Sequence, residues 1–262
     1  MTIDIDPVIV HLGPLMISWY GLFVALAVVV GTRLAFREAR RKGLPAAALD
    51  PLLLWVLVGG IAGARALHVI DRWDLYAAQP MAIFAIWNGG LAIMGAILGG
   101  TVAGVLVAWR LGLPVRKIAD AVAPGAILGQ AIGRFACLFT GDAVGRATTG
   151  FGITYLDRGA MVPHLGVAYE PVFLYEMAWD LAVFALLWLL RSRLRVDGQL
   201  FGVYLALYAV GKFALTFLRT ETVWFAGLQE AQLLAIVAVV SAALWLASST
   251  AFGRTKTAAT AT

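Results

Sequence analysis

Seven stretches of this chain are long and apolar enough to cross a lipid bilayer, at about 15–35, 51–70, 91–110, 118–139, 172–190, 199–218 and 228–248. A helix needs about 20 apolar residues to cross the hydrocarbon core. There every backbone N–H and C=O must be satisfied within the protein, which leaves helices or closed barrels as the spanning elements. Spans of this length predict helices. Composition agrees: 61% of residues are hydrophobic and 13% charged, where a soluble domain carries about 25% charged residues. The expected fold is all-α, a polytopic membrane protein of seven transmembrane helices forming one transmembrane domain over residues 1–262.

The stretch MAIFAIWNGG at 81–90 is too short to span and is expected to be interfacial or re-entrant. Runs such as GGIAGAR and GAILGGTVAG place small residues where helices pack closely in lipid. No basic residue precedes the first apolar run, so that run is expected to remain in the mature protein. The single cysteine, Cys137, excludes an intrachain disulfide and a multi-cysteine metal site, and it reads as a small buried side chain.

Basic residues orient the bundle. Arg33, Arg37, Arg40, Arg41, Lys42, Arg110, Arg116, Lys117, Arg191, Arg193, Arg195, Arg254 and Lys256 all fall at one end. At the other end Arg72, Arg146, Arg158 and Arg219 are balanced by Asp71, Asp74, Asp142, Asp157, Glu170 and Glu221. The N-terminus is therefore expected outside and the C-terminus in the cytoplasm. A loop at about 140–171 would be extracytoplasmic, ordering when substrate docks, and a tail at about 252–262 would be disordered and cytoplasmic.

Arg65, Arg134 and Lys212 remain, each inside a span and each roughly 8 Å below the outer end at 1.5 Å rise per residue. A charge within the membrane costs about 2.5–3.5 kcal/mol on the mildest scale, so partners are required. Glu176 and, one turn deeper, Asp180 are the acids available to neutralise them. Surplus positive charge at that depth calls for an anion, and a lipid phosphate suits the arginine fork. The residues alone thus imply a seven-span protein that holds an anionic lipid headgroup from the outer leaflet.

The motifs ISWYGL (17–22), GARALHV (63–69), IWNGGLAIMGAILGG (86–100), GRFACLFTGDAVGR (133–146), YEPVFLYE (169–176) and YAVGKFALTFLR (208–219) resemble, in order and spacing, those of the bacterial phosphatidylglycerol–prolipoprotein diacylglyceryl transferases. The resemblance implies an enzyme of the bacterial inner membrane. It would transfer the diacylglyceryl group of phosphatidylglycerol to the lipobox cysteine of pre-prolipoproteins, making a thioether and releasing glycerol phosphate. It implies no cofactor, no metal and no nucleic-acid partner. Carried across, Arg134 would hold the phosphate, Tyr20, Tyr208 and Lys212 would be catalytic with it, and Asp142 would supply an acid. Arg65, Asn88, Gly89, Gly90, Gly141, Gly145, Arg146, Glu176 and Arg219 would complete the lipid site.

Three positions depart from the family pattern. Met94-Gly95-Ala96 stands where many members have His-Gly-Gly, Lys212 where an arginine is usual, and Thr216 where a glutamate is common. The thiol base is therefore open: His68, Asp142 through a water, or no dedicated base, since a thiol of pKa about 8.5 beside arginine is partly ionised by itself. The alternative left standing is a divergent, catalytically silent relative that binds an anionic lipid.

Overall fold

The structure, a computed structural model, describes residues 1–12, 15–219, 223–225 and 227–259, with side chains except at 12, 15, 88, 223–225 and 250–259. Glu221 and the side chains of Asn88, Arg254 and Lys256 lie outside the described residues. The helices are α1 (Trp19–Arg41), α2 (Ala46–Asp71), α3 (Trp73–Ala78), α4 (Ile93–Arg110), α5 (Val115–Phe135), α6 (Cys137–Thr140), α7 (Val172–Leu190), α8 (Gln199–Thr216) and α9 (Glu230–Ala259). Among the described residues seven spans are long and apolar enough to cross a membrane, the fourth running through α5 and α6 over Val115–Thr140. They coincide with the seven apolar stretches. The expected interfacial segment consists of two short 3-10 turns, Pro80–Phe84 and Ile86–Asn88. The α9 backbone is helical from Glu230 to Ala259.

The backbone clusters into two compact units: residues 1–10, 17–38 and 119 onward, and residues 11–16 with 39–118. In the second unit α2 and α4 pack through glycines spaced four apart on each helix, Gly59 and Gly63 against Gly95 and Gly99. A Cβ at Gly59 would sit 2.8 Å from the Gly99 carbonyl oxygen, and one at Gly99 would sit 2.9 Å from Gly63 Cα. The small residues therefore serve close backbone packing, where dispersion rather than hydrophobic burial holds helices together in lipid.

The first unit contains α1, α5, α7, α8 and α9. Ala123 and Ile127 of α5, Val183 and Leu187 of α7, and Leu200 and Tyr204 of α8 form its core. Polar ties fix one end of these helices. Gly198, at the start of α8, has no side chain to cap the helix, and the buried Asp120 of α5 accepts the N–H groups of Gly198 at 3.0 Å and Phe201 at 2.9 Å. Arg191 reaches Glu38 of α1 at 3.1 Å and lies 3.3 Å from the centre of the Trp188 ring. With that end anchored, the opposite ends of α5, α7 and α8 are positioned side by side.

The 140–171 loop contributes strands to a small sheet. Ile153–Tyr155 pairs parallel with Thr2–Ile3 and antiparallel with Ala168–Tyr169. Tyr155, 1% exposed, packs with Ile3, Ile153, Phe173 and Cys137 and donates its hydroxyl to the Cys137 carbonyl at 3.4 Å. Burial pushes that hydroxyl well above the usual tyrosine range, so it stays a neutral donor.

Candidate active site

Arg134 lies in the last turn of α5. Glu176 of α7 is 4% exposed and meets three cations. Its Oε2 is 2.7 Å from Arg134 Nε, its Oε1 accepts a hydrogen bond from Lys212 Nζ at 2.9 Å, and Arg219 Nη1, just past α8, stands 3.9 Å from Oε1. The Arg134 approach is off the N–H axis, a charge contact and not an aligned hydrogen bond. Arg134 is the most exposed of the three cations, its side chain at 26% against 15% for Lys212 and 18% for Arg219. It is the one best placed to present its fork to an incoming anion.

Arg134, Asp180, Tyr208 and Lys212 line a cavity of about 10 Å³ with Trp179 and Gly211, room for roughly one water. Trp179 donates its indole N–H to the Leu207 carbonyl at 3.0 Å, and a Cβ on Gly211 would collide with that indole. Trp179 and Gly211 were missed from sequence. The available signal was position: three residues after Glu176 and one before Lys212. Thr216 is fully buried and donates to the Lys212 carbonyl at 2.6 Å, so its hydroxyl is satisfied within α8.

One pairing expected from sequence differs. Asp180 was expected to neutralise a cation, yet among the described residues no cation lies within 4 Å of it, because Glu176, one turn nearer the helix start, gathers all three. The third cation beside Glu176 is Arg219.

The glycine-rich turn after α6 is closely packed. Gly141 ends α6 at φ +69, and a Cβ on Gly145 would come 2.6 Å from Val172 Cγ2 and 2.9 Å from the Leu218 carbonyl oxygen. Ala143 between them holds φ +81, strained for a residue with a side chain. Asp142 accepts from Thr140 Oγ1 at 2.6 Å. Tyr20, 41% exposed at the start of α1, lies within electrostatic reach of Asp142 and Arg134. Arg146 is exposed, and its carbonyl accepts the Glu170 N–H. Cys137, 3% exposed, packs in the core as expected of a small buried residue.

Arg65 and His68 belong to the second unit. Arg65 Nε donates to the Ile83 carbonyl, Nη1 to Gly89 and Gly90, and Nη2 to Ala82 and Ala85, at 2.6–3.4 Å. A guanidinium has five N–H donors, so all are taken by backbone and none is left for a phosphate. Gly89 and Gly90, at φ +82 and +74, turn these carbonyls inward, and a Cβ on Gly90 would meet His68 Nε2 at 2.6 Å. Arg65 thereby clamps the 82–90 segment through its backbone carbonyls. His68 packs edge-on to Tyr76 and with it fronts a cavity of about 240 Å³ beside Arg65. Met94 is 50% exposed.

The family profile for Prolipoprotein diacylglyceryl transferase matches residues 7–248. The phosphatidylglycerol–prolipoprotein diacylglyceryl transferase of Nostoc sp. is 42% identical over 243 residues, covering 89% of this chain and 85% of that protein. The protein of that name from Synechococcus elongatus is 39% identical over 92% of this chain and 86% of its own. That from Shouchella clausii is 39% identical over 92% of this chain and 90% of its own.

Arg65→Lys replaces five donors with one point charge. It should lower stability by at least about 2 kcal/mol, read as a lower thermal midpoint in detergent with new proteolysis within 79–90. An unchanged midpoint would refute the clamp.

Proposed function

The chain belongs to the prolipoprotein diacylglyceryl transferase family, and from that premise we infer its reaction: transfer of the diacylglyceryl group of phosphatidylglycerol to prolipoprotein. In the finer reading, the thiol of the lipobox cysteine in the substrate signal peptide attacks the glyceryl carbon. A thioether forms and glycerol phosphate leaves. The membrane is the bacterial inner membrane, with the N-terminus outside, the C-terminus cytoplasmic and the 140–171 loop on the outer side.

The Glu176 cluster is the observation that carries this reading. Displacement of a phosphate ester builds negative charge on the leaving oxygen, and fixed cations lower that barrier because they need no reorganisation. Arg134, Lys212 and Arg219 are three such cations, preset by one carboxylate. Arg134 offers the headgroup its free edge while Glu176 holds its Nε side. Lys212 follows the departing phosphate, and Tyr208, four residues earlier on the same face, fronts the cavity with it. A site of about 10 Å³ must open for a headgroup, and the weakly aligned Arg134 contact is the one that gives way at least cost. Gly141 and Gly145 shape the turn, while Tyr20, Asp142 and Arg146 flank the approach.

Complementation of a transferase-depleted bacterium, read by lipoprotein mass, tests the reaction and the residue together. Arg134→Ala should abolish transfer with membrane insertion intact, and Arg134→Lys should restore only part, a point charge replacing a fork. Full transfer by Arg134→Ala would defeat the headgroup site.

Cysteines introduced at 37–43 or 191–195 should resist an impermeant thiol reagent in intact spheroplasts, while one near 158 should react. The reverse pattern would overturn the proposed orientation.

A further inference from the structure

The reaction needs a thiol to lose its proton, and the sequence offered His68 and Asp142 for that task. His68 is in the second unit against Tyr76. Asp142 is bonded to Thr140. Glu176 lines the cavity but is engaged by three cations, and a carboxylate so neutralised is a poor proton acceptor.

Asp180 is different. It is 4% exposed and lines the same cavity as Arg134, Tyr208 and Lys212. Among the described residues its carboxylate makes no hydrogen bond and has no cation within 4 Å. A buried carboxylate without a partner is costly to maintain, and this one faces the cavity instead of being sealed in side chains. Its position, four residues after Glu176 on α7, sets it on the same helical face one turn further from the Arg134 edge.

We propose that Asp180 is the catalytic base of the transfer, accepting the proton of the substrate thiol; this rests on the diacylglyceryl transfer read above. The thiol S–H proton passes to an Asp180 carboxylate oxygen. The sulfur lone pair forms the S–C bond at the glyceryl carbon as its C–O bond breaks. The electron pair of that bond leaves on the phosphate oxygen, beside Arg134 and Lys212. Asp180 then returns the proton to the released phosphate monoester, which restores the carboxylate. No oxidant, metal or other reactant is needed. The two acids of α7 thereby divide the work: Glu176 sets the cations, and Asp180 moves the proton.

The groups facing Asp180 are Arg134 of α5, Glu176 of α7, and Tyr204, Tyr208 and Lys212 of α8. Asp180→Asn keeps the shape and removes the acceptor. With a prolipoprotein signal peptide and phosphatidylglycerol vesicles, its transfer rate at neutral pH should fall about 10²–10⁴-fold, with phosphatidylglycerol retained on the purified protein at the wild-type level. Asp180→Glu should recover part of the rate. A peptide carrying selenocysteine at the acceptor position, already ionised at neutral pH, should restore transfer by Asp180→Asn to near the wild-type rate with that peptide. Wild-type rate in Asp180→Asn with the ordinary peptide would overturn the proposal. So would loss of lipid retention, or failure of the selenol to rescue, since either would make Asp180 a packing residue. If the wild-type protein itself transfers nothing, the fault lies with the reaction assigned to the chain and not with Asp180.

Discussion

One buried carboxylate determines the arrangement of this protein's charged centre. Glu176 touches three cations from two helices and the segment after one of them. In an apolar surrounding each of those charges alone is expensive, and removing one partner of a buried pair costs about 3–5 kcal/mol because the other is stranded. The ends of α5 and α8 are therefore constrained to meet α7 at one point. At their other ends the Asp120 cap on α8 and the Arg191–Glu38 pair hold the same helices in register. The site follows from that constraint. Three cations face two acids, and only one acid is neutralised.

Arginine has two opposite uses here, and the bonding of its donors separates them. Arg65 gives every N–H to backbone carbonyls of the 82–90 segment, so its charge is dispersed into a structural cage. Arg134 contacts Glu176 through Nε and remains a quarter exposed. A buried cation in a membrane protein suggests function by default, but a saturated guanidinium is held by the fold, while an incompletely bonded one can exchange its partner for a ligand.

The seven spans were legible from sequence because the bilayer imposes a length and a composition that local reading detects. The glycine packing of α2 and α4 was legible too, since a spacing of four places small residues on one stripe. The partners of the cations were not. Arg65, Arg134 and Lys212 share a distance from their span ends, and that common depth suggested one cluster. Arg65 instead pairs with carbonyls that become available only once Gly89 and Gly90 adopt positive φ. Arg219 joins Glu176 from beyond α8, where no helical periodicity places it. Asp180 looked like a second counter-ion. One turn along a helix changes the depth of a side chain by about 5.4 Å, beyond ion-pair reach, and only the packed helices reveal which acid the cations choose.

Glu176 orders the cations and is more than a counterweight to them. The most direct measurement is transfer by Glu176→Gln, made alongside retention of phosphatidylglycerol on the purified protein. The substitution adds net positive charge to the site while removing the group that sets Arg134, Lys212 and Arg219 in place. Transfer should fall by at least about 10²-fold, the scale of one lost transition-state donor, with the anionic lipid still retained. Transfer at the wild-type rate would contradict it and would mean that positive charge alone, without this geometry, suffices.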